Sequence, residues 1–256
     1  MGVRFPDSLT GMCAAIAVVM PLSMPYCAPA TLAPTRVEFY RAGGYSFSWR
    51  ERRAVERIAV QTADEVRRLL PALPEQLLVK VRAGSSVIPE TGEASTAVGP
   101  NVVWWDVNPK HEGGVRKTIE RELRASLFHA FHHLVRNNAR VGRGFRDTIV
   151  SEGMAIAFER DFGRVARPWG AYSEADQART REVLEMPDDT TWGAWLKSDR
   201  RSRRWAGQRV GTFVVDRASQ ASRLNAAQMV TMPTEDVIRL AGFEPAAAEP
   251  AAHTGQ

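Results

Sequence analysis

One stretch, Val115 to Arg136, limits the architecture more than any other part of the chain. Ile119, Leu123, Leu127, Phe128, Phe131, Leu134 and Val135 recur at helical spacing and make one apolar side. A helix of that span is about 33 Å long, and its apolar side needs something broad to cover. Two alternating segments precede it. Leu77 to Ala83 (LLVKVRA) and Asn101 to Val107 (NVVWWDV) read as strands, the second closed by Asn108-Pro109. Ser48 to Leu70 reads as an amphipathic helix, with Val55, Ile58, Thr62, Val66, Leu69 and Leu70 on one face and Pro71 and Pro74 ending it. The expected class is α+β: a small sheet containing strands 77–83 and 101–107 packs on the long helix, and a helical C-terminal half follows.

That half is read as a helix opened by Asp147 or Thr148 and ended near Gly163, then helices at Ser173 to Leu184, Arg204 to Ala218 and Pro233 to Ala241. Gly84 to Pro100, rich in Gly, Ser, Thr and Pro, reads as a loop, and Gly142-Arg143-Gly144 as a turn. No repeat or linker divides the chain, so one domain is expected over 31–243. The Ala/Pro-rich tail Glu244 to Gln256 is expected to be disordered.

With 44% hydrophobic and 25% charged residues, wholesale disorder is excluded. No apolar run is long enough for a membrane-spanning helix. Residues 1–30 have the parts of a secretory signal: Arg4, the apolar run Met12 to Met20, and the small-x-small end Ala28-Pro29-Ala30. Export is therefore expected; the plainer reading is an unstructured or packed N-terminal arm. Cleavage after Ala30 removes both Cys13 and Cys27, leaving neither disulfides nor thiolate metal ligands. The net charge of +5 comes from 34 basic and 29 acidic residues. Only Lys80, Lys110, Lys117 and Lys197 are lysines, a uniform arginine excess that reads as coding bias rather than a nucleic-acid footprint.

Chemistry concentrates in the histidines. Of five, His129, His132 and His133 fall on the long helix. His129 and His133 lie about 40° apart around the axis and roughly 6 Å along it, so both imidazoles can face one zinc ion. His132 lies some 60 to 100° away and is expected to support the pair from behind or to face solvent. Glu152, in the apolar segment Ile149 to Ala157, comes after a short turn and can lie opposite the pair. Alone, H-x-x-x-H also suits histidines that merely hydrogen-bond at a helix surface.

Ala125 to Phe158 (ASLFHAFHHLVRNNARVGRGFRDTIVSEGMAIAF) resembles an uncharacterised family of predicted zinc-dependent proteases of the gluzincin type, which carry H-E-x-x-H on one helix and E-G-x-A on the next. Asn101 to Pro109, Trp205 to Asp216 and Val237 to Phe243 are similar to its flanking elements, so the likeness covers most of 75–243. The resemblance implies a zincin-like fold, zinc as cofactor, His129, His133 and Glu152 as ligands, and a peptide or protein as substrate or ligand.

One position departs from the pattern. The family's glutamate is Ala130 here, and a methyl group neither takes a proton from water nor passes one to a leaving amine. General acid–base catalysis contributes ~10²–10⁴-fold, so little or no peptidase activity is expected; the alternative is a pseudoprotease that binds peptide without cutting it. Tyr172 or Arg209 are the candidates for stabilising an oxyanion. Glu120, Glu122 and Glu159 read as solvated helix faces, too far from the pair for direct proton transfer, and Asp147 as a cap or a histidine-orienting group. Arg200, Arg201, Arg203 and Arg204 beside Trp195 and Trp205 offer a less favoured third reading, a single-strand nucleic-acid surface; a solvated loop is preferred, and no nucleic-acid partner is expected. Trp104 and Trp105 point to opposite sheet faces, one into the core and one toward a cleft.

Overall fold

The computed structural model describes residues 35–41, 44–191 and 204–243. Residues 1–30, read above as a secretory signal, the tail, Trp195 and Arg200 to Arg203 lie outside these residues. The class is α+β: a four-stranded mixed sheet followed by a helical half.

The sheet runs β1 (Thr35–Tyr40), β2 (Leu77–Ala83), β4 (Val102–Val107), β3 (Glu93–Val98) in spatial order. β1 and β2 pair in parallel, as do β2 and β4, while β3 is antiparallel to β4 and, past a bridge of Glu93 to Ile88, has an outer edge unpaired among the described residues. Leu77, Val79, Val81 and Ala83 of β2 and Val103, Trp105 and Val107 of β4 turn inward at period two. The register sets Glu93 opposite Val107 and Ser95 opposite Trp105, so β3 adds its odd positions to the same face. β3 corrects the reading of Gly84 to Pro100 as all loop. Its sequence, EASTAV, has only Thr96 and Val98 as β-branched residues and no aromatic one, and pairing to β4 supplies what propensity does not.

That inner face is covered by α1 (Trp49–Leu69) and α3 (Arg124–Ala139). Ser48 caps α1 in a box with Glu51, whose carboxylate accepts from the Ser48 amide at 2.7 Å. α3 continues from α2 (Gly114–Thr118) through a single π turn, Ile119–Leu123. α4 (Gly144–Phe158) starts at Arg143–Gly144 rather than at Asp147 or Thr148, neither of which caps it, and runs into a second π turn, Glu159–Gly163. The segment read as one helix at 173–184 is two, α5 (Glu174–Ala178) and α6 (Thr180–Leu184). α7 (Ala206–Ser222) packs along α4, and α8 (Thr234–Leu240) closes against both. Among the described residues no helix is long and apolar enough to cross a membrane.

Candidate metal centre

α3 turns back into α4 at Arg140, which is left-handed with φ 53°, and at Gly144, with φ 85°. The reversal sets α4 beside α3 and Glu152 against the histidine pair. His129 Nε2 and His133 Nε2 are 3.0 Å apart. Glu152 Oε1 is 3.3 Å from His133 Nε2, and Oε2 is 3.9 Å from His129 Nε2. One ligand atom from each of the three lies within 4.8 Å of the other two. Ligands held tetrahedrally at the zinc distance of 2.0–2.1 Å stand about 3.4 Å apart, and the observed edges bracket that value.

The outward ring nitrogens are placed as metal-binding imidazoles require. His133 Nδ1 is 3.1 Å from Ser151 Oγ, and His129 Nδ1, fully buried, is 3.4 Å from Glu159 Oε2. Such neighbours favour the proton on Nδ1 and leave Nε2 as a donor to a cation.

Burial alone would raise the Glu152 carboxyl, but the hydrogen bond from His133 and the charges of both histidines reverse this and bring it down to about 2. Burial alone would lower His129, yet Glu159, Glu152 and Glu93 together raise it. The Glu152 shift reports the imidazole donors beside it, and the His129 shift the negative charge of three carboxylates around it. The cavity of about 160 Å³ beside His129 is lined by Glu93, Glu152 and Glu159 and by one arginine, Arg167. A divalent ion suits that balance, and the donor set of two imidazoles and a carboxylate suits zinc.

Several residues lie elsewhere than the sequence implies. Glu122 and Glu159 are not solvated: Arg167 bridges them, its Nη1 donating to Glu122 Oε2 and its Nε to Glu159 Oε1, each at 2.5 Å. Glu159, at the junction of α4 and the second π turn, stands beside His129 because α4 runs back along α3. Glu120 is exposed and pairs with Arg116. His132 has no exposed surface; it packs against Phe158 with Nε2 3.4 Å from the Ala226 carbonyl, and burial lowers it well below the usual histidine range. Asp147 accepts from Arg136 and Thr234, away from the imidazole pair.

Neither Tyr172 nor Arg209 lines the cavity. Tyr172 donates to Asp216 at 3.1 Å, and Arg209 Nε donates to Asp176 at 3.0 Å. Arg204, the described member of the arginine run, pairs with Glu90. Trp105 is the core tryptophan; Trp104 packs at a tilt against Tyr40 on the other face of the sheet, not in the cleft.

The cleft also holds residues that sequence reasoning missed: Glu93, Arg167, Trp169 and Gln208, with Trp205 in a new role. Trp169 and Trp205 stack at 4.9 Å, and the Gln208 side-chain oxygen is buried without a hydrogen bond. None stands at a spacing that links it to the histidines; the register of β3, the segment 164–170 after α4 and the crossing of α7 bring them there.

A family described as "Predicted Zn-dependent protease (DUF2268)" matches residues 56–239, a span that contains every cleft residue named above. No curated protein and no solved structure matches the chain. The family match covers most of the chain, which therefore belongs to this family of predicted zinc-dependent proteases.

Proposed function

We propose that the protein is a zinc-dependent peptide hydrolase of gluzincin descent, with His129, His133 and Glu152 as the metal ligands. The observation that carries this is the convergence of Nε2, Nε2 and a carboxylate oxygen within 4.8 Å at the floor of a cleft. A zinc ion held there supplies a Lewis acid and lowers the pKa of nearby water. The chain's own residues do the rest. Ser151 and Glu159 orient the two imidazoles from behind. The free edge of β3 at Ala94 and Ser95 borders the cavity and offers main-chain groups to an extended peptide. The stacked Trp169 and Trp205 wall the cavity opposite and exclude water. On the reading of residues 1–30 as a secretory signal, the substrates are extracytoplasmic.

Ala130 is 1% exposed and carries no proton, so α3 does not supply the base that its motif calls for. That observation favours the second reading, a cleft that holds peptide without cutting it. Elemental analysis of purified protein tests the function. One zinc per chain is expected, with His133→Ala abolishing stoichiometric binding; unchanged zinc in that variant removes the ligand assignment.

A further inference from the structure

Glu93 opens the edge strand β3 and is 2% exposed, facing α3 from the sheet. Both of its hydrogen bonds fall on one oxygen: Oε2 accepts from Trp105 Nε1 at 2.9 Å and from Ser126 Oγ at 2.6 Å. Oε1 accepts none among the described residues, and the side chain lines the same cavity as His129 and Glu152. Nothing in the ligand set uses this carboxyl.

Its place relative to Ala130 is informative. Ser126 stands one turn before Ala130 on the same face of α3. Helical side chains lean toward the N-terminus, so a longer side chain at 130 would cover the turn that carries Ser126. Glu93 reaches that turn from the opposite wall. We propose that Glu93, delivered by the edge strand, is the proton-transferring residue of the cleft and fills across space the role that Ala130 leaves empty on the helix.

This inference rests on the zinc-hydrolase reading. In the first step the Glu93 carboxylate takes a proton from the attacking water as the water oxygen bonds to the scissile carbonyl carbon. In the second, the C–N bond breaks and the same proton passes from Glu93 to the leaving amine, so Glu93 ends as it began.

The surroundings suit the task. Trp105 and Ser126 hold the carboxyl in place, while His129, Glu152, Glu159 and Arg167 are the charged or titratable groups that line the cavity with it. Burial raises Glu93 above the ordinary carboxyl value of 4.5, and Glu159 adds to this; Ser126, Arg167 and Trp105 oppose without cancelling it. A base shifted toward the operating pH transfers protons in both directions more effectively.

The test compares zinc-loaded wild type with Glu93→Gln on a peptide library, with zinc content measured on each. Glu93→Gln is expected to keep its zinc and its KM while kcat falls about 10²–10⁴-fold. Moving the carboxylate back to the helix, in a Glu93→Ala, Ala130→Glu double variant, is expected to recover turnover over Glu93→Ala alone. That recovery separates catalysis from a merely structural role. Infrared titration of the zinc-free protein supplies a readout without turnover: the carboxyl band lost in Glu93→Gln is expected to titrate above pH 4.5. Equal kcat in wild type and Glu93→Gln overturns the assignment and leaves the zinc hydrolase standing. A band that stays protonated beyond about pH 9 also overturns it, since such a group is no base at neutral pH. Zinc-loaded wild type that cleaves nothing overturns it in favour of peptide binding, whereas protein that takes up no zinc overturns the underlying function.

Discussion

Arg136 follows His133 by one turn of α3 and is 2% exposed. Its guanidinium donates to the carbonyls of Val230 and Met232 at 3.2 and 3.0 Å, to Asp147 at 2.9 Å and to Thr234 at 2.8 Å. Burial lowers its pKa and Asp147 works against that, in an ion pair whose arginine side is buried and whose carboxylate side is 21% exposed. Arg136→Met takes the guanidinium from two carbonyls and from the Asp147 carboxylate, which keeps the Thr234 hydroxyl. A loss of about 3–5 kcal/mol is expected in denaturant unfolding; a loss below about 1 kcal/mol would show that water replaces the arginine. Helical spacing identifies Asp147 as a residue near the start of α4, which is why it reads as a cap. It does not reveal that Arg136, eleven residues earlier, claims that carboxylate. The same holds for His132: its spacing sets it apart from the pair, but only the packing of Phe158 and Ala226 decides that it is buried rather than solvated.

At the scale of elements, the site depends on how closely α4 and α7 cross. A Cβ on Gly153 would stand 2.1 Å from the Gly211 carbonyl carbon, and one on Gly211 would stand 2.1 Å from the Ile149 oxygen. Both obstacles are backbone and have no rotamer to yield, so the glycines permit a contact that any side chain would push apart. Gly153 follows Glu152 directly, and the pairing of a glutamate with a glycine here has a packing cause. Gly211→Ala is expected to separate the helices, destabilise the fold by about 1–3 kcal/mol and weaken zinc binding by displacing Glu152. Calorimetry for metal affinity and thermal unfolding check the two effects; a variant with wild-type values in both would show that the crossing tolerates a shift. The long helices and strands β2 and β4 are legible because their apolar residues repeat over many positions. β3 and the two π turns are not, because one is made of small residues and the others hinge on a single inserted residue per turn.

Across the whole molecule, stability carries a pH signature from contacts that join distant parts of the chain. Asp176 closes the capping box of α5, accepting from the Ser173 amide at 2.9 Å and hydroxyl at 2.7 Å, and it also accepts from Arg209 of α7 at 3.0 Å. Burial would raise its carboxyl, but these donors and the Arg209 charge bring it below the ordinary 3.8. With the folded value depressed, the contribution is present above 3.8 and is lost as pH falls through the folded value. Asp176→Asn is therefore expected to be less stable than wild type near neutrality, with the gap closing as the medium becomes acid. Denaturant titrations at about pH 7 and about pH 3 check this; a gap independent of pH would remove Asp176 as its source. The α+β class, the sheet-then-helices order and the four-residue spacing of His129 and His133 are determined by the sequence itself, because a helical repeat of 100° and a strand repeat of two act between near neighbours. Beyond Glu152, only the tertiary structure decided which carboxylates gather at those imidazoles. Glu159 reaches His129 from a π turn and Glu93 lines the same cavity from a strand edge, and their gathering depends on helix crossings and sheet register set by packing between residues far apart in the chain.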